Sequence, residues 1–332
     1  MKMKYGIHTF SLTAKSCYIE IQNIVGQVPC ISKPDKYHLS VKHEIVRYKG
    51  VGVEIHLHQS LVHPSWIKLI VNPASLLAGE YRPTKLFLEP EKLSQVRKSL
   101  RELLQGCGIE RRLKEFKLSR VDLTEDRYHD DEEDVLSEVQ RFQKSFFMPP
   151  YKVVPLGKWS QDAVSDTEAD CHSWTISCKS CAFSVYDKAY ELSCRHGIVI
   201  KDHILRRELR LERKRITHLT KSDSWERQLK ELLADQEKIM RKFLWRLHQD
   251  CERVVSLEEA RRIIDGSSCR KETKKQLKKL VEMSSGLNTL EETRRRMRLS
   301  RKKFARLLER CRKLDVNPIT REYSFFQLKQ KS

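Results

Sequence analysis

Phe183-Ser-Val-Tyr-Asp-Lys-Ala-Tyr-Glu-Leu192 is the stretch around which the rest of this chain is organised. Phe183, Val185 and Asp187 alternate with Ser184 and Tyr186, and aromatic and β-branched residues favour the pleat of a strand. The stretch then turns polar, with Lys188 two residues after Tyr186 and Tyr190 four after it. A phenol is a poor nucleophile at its ordinary pKa of about 10, and a neighbouring cation or metal activates it. A strand end whose tyrosine snorkels to the surface accounts for the same residues without any chemistry. What surrounds the stretch decides between the two.

Upstream, residues 5–12, 37–48, 50–58 and 66–72 read as strands, separated by Pro, Gly and Lys-rich breaks. Leu93, Val96, Leu100, Leu103 and Leu104 follow helical spacing up to Gly106-Cys-Gly108. Residues 116–124 read as another strand, and the acidic run Asp130-Asp-Glu-Glu-Asp134 suits the first turn of a second helix. A Pro, Ser and Asp-rich loop runs to about Ala169. Residues 174–186 then predict a strand pair turning near Cys178-Lys-Ser180, and 204–213 one more strand. This order predicts an α+β domain over 1–220, an antiparallel sheet backed by two helices. From Ser222 the character changes to helices, over 225–249, 257–264, 271–283, 290–297 and 300–314, so 221–332 reads as an all-α basic region.

Charge points to the partner. The 332 residues carry a net charge of +20, and an excess of that size favours a polyanion, nucleic acid before an anionic membrane. Residues 270–313 alone hold 17 Lys and Arg against 5 Asp and Glu. Ser300 would cap a last helix with Phe304, Leu307, Leu308 and Cys311 on its apolar face. Arg301, Lys302, Lys303 and Arg306 then face outward as candidate DNA contacts, either in a helix-turn-helix or simply as phosphate-attracting cations. No apolar run of about 18 residues exists to span a membrane. The opening residues lack a signal-peptide core, and the ten cysteines are scattered, which together predict a cytoplasmic protein with reduced thiols.

Three constellations can carry chemistry. His56-Leu-His58 on a strand points both imidazoles to one face, as a metal pair needs, or is two half-exposed strand histidines. Cys171, Cys178-x-x-Cys181 and Cys194-Arg-His196 supply zinc donors without regular spacing. Arg120-Val-Asp122 places a guanidinium and a carboxylate on one strand face, and Glu208 lies between Arg206 and Arg210 on another. Carboxylates converging from separate strands hold Mg²⁺ or Mn²⁺, and the same residues can form plain ion pairs.

Several patches in order resemble the filamentous-phage gene II protein and related phage or plasmid replication initiators. Ile67-Lys-Leu-Ile-Val-Asn-Pro-Ala-Ser-Leu-Leu-Ala-Gly79 is similar to the family's strand-Pro-helix-Gly element, and Leu118-Ser-Arg-Val-Asp122 to its Ser-Arg-Ile-Asp strand. Phe183 to Leu192 is similar to its Tyr-x-Lys-x-x-Glu-Leu segment, and Leu205-Arg-Arg-Glu-Leu-Arg210 to its Arg-Phe-Glu strand. The resemblance covers about residues 45–215. It implies rolling-circle initiation, in which a tyrosine nicks one strand of an origin, keeps the 5′ phosphate and leaves a 3′ hydroxyl for a polymerase. Carried over, Tyr186 is the nucleophile, Lys188 and Arg120 assist at the phosphate, and Asp122 and Glu208 bind Mg²⁺ or Mn²⁺. His56 and His58 depart from the gene II pattern but match a His-hydrophobic-His pair of the wider nickase superfamily, and Tyr190 is a candidate second nucleophile. The implied partners are double- and single-stranded DNA at an origin, with host helicase and polymerase. A conjugative relaxase and a non-enzymatic DNA-binding replication regulator are the alternatives.

Overall fold

The computed structural model describes residues 2–34, 39–146, 149–154, 172–247, 255–285 and 288–320. Tyr37, residues 155–169 of the expected loop, Cys171 and the end of the helix placed over 225–249 lie outside them; the described start of that loop holds a short strand at Lys152–Val153. The α+β class holds: a ten-stranded sheet has the order β2-β3-β4-β5-β1-β6-β10-β9-β8-β7, with antiparallel neighbours throughout. The strands are β1 (Lys2–Ser16), β2 (Cys30–Pro34), β3 (Ser40–Ile45), β4 (Val53–Ser60), β5 (Ser65–Val71), β6 (Lys117–His129), β7 (Lys152–Val153), β8 (Ser173–Ser177), β9 (Cys181–Asp187) and β10 (His203–Glu212).

The alternation in these strands sorts one sheet face from the other. On β6, β10 and β9, Leu123, Leu209 and Phe183 stand in register and are fully buried among apolar side chains. One position along, Asp122 faces Arg210, Thr124 faces Glu208 and Asp126 faces Arg206. The sheet therefore has a mainly apolar face, with the buried Glu125–Arg207 pair set into it, and a charged face.

Helices α3 (Leu93–Gly106) and α4 (Glu132–Gln143) contribute buried residues to the core that contains the sheet's apolar side chains. Asp131 caps α4, accepting from the Asp134 amide at 2.8 Å. Short helices α1 (Tyr18–Gln27) and α2 (Pro73–Ala78) precede them. Two more follow: α5 (Lys188–His196), which starts directly where β9 ends, and α6 (Arg213–Leu219), which continues β10.

The helix expected from residue 225 is α7 (Trp225–Arg246), and it belongs to the sheet's core. Trp225, Leu229, Leu232, Phe243 and Leu244 share the large core, and Trp225 stacks on Phe10 with centroids 6.0 Å apart. A second core takes in Phe146 and Val255 and is otherwise built mainly by α8 (Leu257–Gly266), α9 (Lys271–Ser285), α10 (Leu290–Arg296) and α11 (Arg301–Lys313). The two cores meet after α4. The Leu290 amide donates to the Lys144 carbonyl at 3.0 Å, Lys144 Nζ donates to the Ser284 carbonyl at 3.1 Å, and Phe146 packs edge-on against Phe304. Burial pushes the Lys144 ammonium down to about 7.

Candidate functional site

The charged face is a ladder of cross-strand partners. Arg206 and Asp126, both fully buried, form a two-pronged pair at 2.7 Å. Next along, His8 Nδ1 lies 3.1 Å from Glu208 Oε1. Then Asp122, 1% exposed, accepts from Arg120 Nε at 2.9 Å, Arg210 Nε at 3.2 Å and Thr9 Oγ1 at 2.8 Å.

His8 reaches Glu208 because β1 bulges there: the register with β6 shifts between Ile7 and Thr9, and the extra residue is re-aimed. Its Nε2 is buried with no hydrogen-bond partner among the described residues. Burial would raise the Glu208 carboxyl, but His8, Arg206 and Lys188 hold it well below the usual carboxylate range.

One half of this face is covered. Phe87 exchanges backbone hydrogen bonds with Ile7, so the segment around it crosses β1 at Gly6, where a Cβ would meet Leu88, Leu86 and the Phe87 carbonyl at 2.6–2.9 Å. Tyr186, opposite Arg206 on the neighbouring strand, is 5% exposed. Desolvation first, and the Glu208 charge second, raise its phenol well above 10. Lys188 is buried too and donates to Glu191 at 2.6 Å; burial lowers its ammonium pKa, with Arg206 adding to the fall.

The other half is open. A groove of about 930 Å³ is lined by Lys15, Lys68, Arg111, Lys117, Arg120 and Arg213 against only Glu115 and Glu212, with Trp66 along it. Arg111 is held by Glu20 and Glu115, and Arg120 by Asp122. Lys15, Lys68, Lys117 and Arg213 have no carboxylate partner among the described residues. Desolvation lowers the Lys68 ammonium pKa, and Arg120 nearby lowers it further. His58 stacks on Trp66 with ring centroids 5.0 Å apart and planes 7° from parallel, fixing the indole in the groove wall.

The metal set expected from sequence does not assemble. His56 and His58 do share a face, opposite Lys68 and Trp66, but their strand β4 is separated from β6 by β5 and β1. Three strand spacings already separate them by roughly 14 Å across the sheet, and the registers offset them further along it. Asp122 is already saturated by two guanidiniums and a hydroxyl, so Asp122, Glu208, His56 and His58 do not fit one cation. His56 instead bonds to Glu54 at 3.1 Å and, with Glu44, makes one of two three-donor groups among the described residues. The other joins Glu132, His172 and Asp187. Neither contains Cys178, Cys181, Cys194 or His196; Cys178 and Cys181 sit 3.6 Å apart as thiols in the hairpin turn.

At the far end of the chain, Ser300 caps α11, accepting from the Lys303 amide at 3.3 Å, and Phe304, Leu307, Leu308 and Cys311 are buried as the spacing predicts. Arg301, Lys302, Lys303 and Arg306 are exposed. A helix N-terminus repels cations, so three of them in its first turn work against the helix itself. Tyr190 is half-buried in the first turn of α5, its ring 3.7 Å from and nearly parallel to the His172 imidazole.

His8 and His172 were not flagged by sequence reasoning. A bulge leaves no mark in the alternation around His8, and His172 precedes its strand by one residue; the one local signal is Asp187, a helix-capping carboxylate.

No family model matches this chain, and no curated relative does. Among solved structures, a rolling circle replication initiator protein from Geobacillus stearothermophilus is similar at 11% identity and a TM-score of 0.38, covering 74% of this chain and 86% of that one. Among the described residues no helix is long and apolar enough to cross a membrane.

Proposed function

We propose that this protein binds single-stranded DNA along the open half of its charged sheet face and nicks one strand of a phage or plasmid origin through tyrosine, initiating rolling-circle replication. The observation that carries this reading is the continuity of the cationic, Trp66-bearing groove with the ladder of Arg120, Asp122, Arg210, Glu208 and His8. Cations that track a backbone beside an aromatic on which a base stacks are what a single strand requires. The exposed first-turn cations of α11 serve as a second, duplex-attracting arm.

In the chemical step Tyr186 Oη forms a bond to phosphorus as the bond from phosphorus to the 3′ oxygen breaks. The phenolic proton passes to His8, which Glu208 holds, and is returned to the departing 3′ oxygen, so that the released strand ends in a 3′ hydroxyl. Arg120 and Arg210, which Asp122 orients, act on the charge that develops at the scissile phosphate in the transition state and not as contacts to the bound backbone. Because Tyr186 is buried and its phenol pKa is raised, this step requires the cover over the upper half of the face to move. Mg²⁺ or Mn²⁺ stays in the proposal as a requirement that chelation tests, with no step assigned to Asp122 or Glu208 as ligands. Host helicase and polymerase are its proposed partners.

The burial of Tyr186 is also the specific observation that favours a second reading, a DNA-binding replication regulator without nicking. A relaxase acting at a transfer origin would use the same chemistry as the first. Incubating the protein with divalent cation and supercoiled origin DNA separates nicking from binding alone. A protein–DNA adduct stable to SDS, lost in Tyr186→Phe and kept in Tyr190→Phe, is the expected result. Adduct surviving in Tyr186→Phe sinks the assignment of the nucleophile, and none in wild type favours the regulator.

A further inference from the structure

The geometry points to a divalent-cation site formed by Glu132, His172 and Asp187, separate from the charged sheet face and from the residues expected to bind metal. The three come from different elements: the first residue of α4, the residue preceding β8 and the last residue of β9. Each offers one ligand atom, and all three atoms lie within 4.8 Å of one another.

His172 Nδ1 and Asp187 Oδ2 are 3.3 Å apart. Two ligands each about 2.1 Å from one ion, at angles between octahedral and tetrahedral, are separated by roughly 3.0–3.4 Å. The pair therefore has the spacing of adjacent ligands before any ion enters.

The donors are held in place. Asp187 Oδ1 accepts the Ala189 and Tyr190 amides at 2.9 and 3.1 Å, which fixes the carboxylate and turns Oδ2 toward His172. The imidazole is clamped flat against the Tyr190 ring at 3.7 Å. Such outer contacts set the orientation of a metal-binding histidine. Both His172 and Asp187 are buried, while Glu132 is exposed and forms the solvent side. Lys188, the nearest cation in sequence, is turned away to Glu191, leaving two carboxylates facing one imidazole.

One imidazole and two carboxylates suit Mn²⁺ or Zn²⁺ better than Ca²⁺, which prefers an all-oxygen shell. Three protein donors leave further positions for water or an oxyanion, immediately beside Tyr190. The site stands whether or not the protein nicks DNA.

The full-length protein, stripped with a chelator, is titrated with Mn²⁺ while free Mn²⁺ is followed by electron paramagnetic resonance, with Zn²⁺ as competitor. One equivalent should bind. Glu132→Gln, a surface change that should keep the wild-type circular dichroism spectrum, should weaken it by about tenfold or more, as should His172→Gln. Glu54→Gln, in the other three-donor group, should leave that affinity unchanged. Absence of stoichiometric binding, or binding that both first variants keep, overturns the site. So does weakening seen only in Glu54→Gln, which places the ion at Glu44, Glu54 and His56.

Discussion

Removing two cations from the groove should change how DNA binding responds to salt by a calculable amount. Of the six cations on its wall, Arg111 and Arg120 are spent on carboxylates, which leaves Lys15, Lys68, Lys117 and Arg213 for phosphates. Each phosphate neutralised on a single strand contributes about −0.7 to the slope of log affinity against log salt. Four give about −2.8, so raising salt from 50 to 200 mM should weaken binding roughly 50-fold. In Lys15→Gln/Lys68→Gln the slope should halve to about −1.4 and the loss shrink to roughly 7-fold over the same range. Fluorescence anisotropy of a labelled oligonucleotide at four or five salt concentrations measures both slopes. Because Lys68 is half-buried with its charge disfavoured, its replacement should cost no fold stability, and a thermal melt serves as the control. A double variant with the wild-type slope refutes the path of the strand.

Other expectations follow from single contacts. Trp66→Ala should weaken the same oligonucleotide by about 1–3 kcal/mol with the salt slope unchanged, since it removes a stacking surface and no charge. Replacing Arg301, Lys302, Lys303 and Arg306 together by Gln should flatten the slope for duplex DNA by up to about 3.6, at about 0.9 each, and an unchanged slope ends their role. Asp126→Asn should cost about 3–5 kcal/mol in urea unfolding, because it strands the buried Arg206 guanidinium; a loss below about 1 kcal/mol contradicts that account. The Glu138 carboxyl would be raised by burial, but Arg141, Arg207 and Arg127 outweigh this and hold it at about 2. Its stabilising effect is thus complete above the unfolded value near 4.5 and disappears as pH falls toward 2. Between pH 5 and 2 the unfolding free energy should drop by about 3 kcal/mol more in wild type than in Glu138→Gln.

The strands were legible wherever one face is buried, because there the alternation has to be kept. The run around Arg120 and Asp122 and the run around Glu208 were read with the correct faces. Helix α1 was not legible, since Tyr18-Ile-Glu-Ile-Gln looks like a strand; its capping by Cys17 and the burial of Ile21 and Ile24 decide otherwise. Helix α5 is hidden in the sequence, because Asp187 is at once the last strand residue and the cap of the next helix. The order of the strands is set by distant pairings, Phe10 with Val71, Phe10 with Val121 and Leu209 with Leu123, which no local pattern carries. That order is what separates His56 and His58 from Asp122. The burial of Tyr186 is hidden for the same reason: it depends on neighbours brought over the sheet from elsewhere in the chain.

The place of β1 in the middle of the sheet, between β5 and β6, has a consequence for synthesis. Lys2 pairs with Tyr128, so β1 cannot complete its ladder until the whole of β6 has left the ribosome. At 5–20 residues per second that interval is roughly 6–25 s. Phe10 and Leu12 can pair with β5 as soon as Val71 has emerged, so what stays unpaired for the whole interval is the β6-facing edge of this hydrophobic ribbon, the part of the nascent chain most in need of a chaperone's protection.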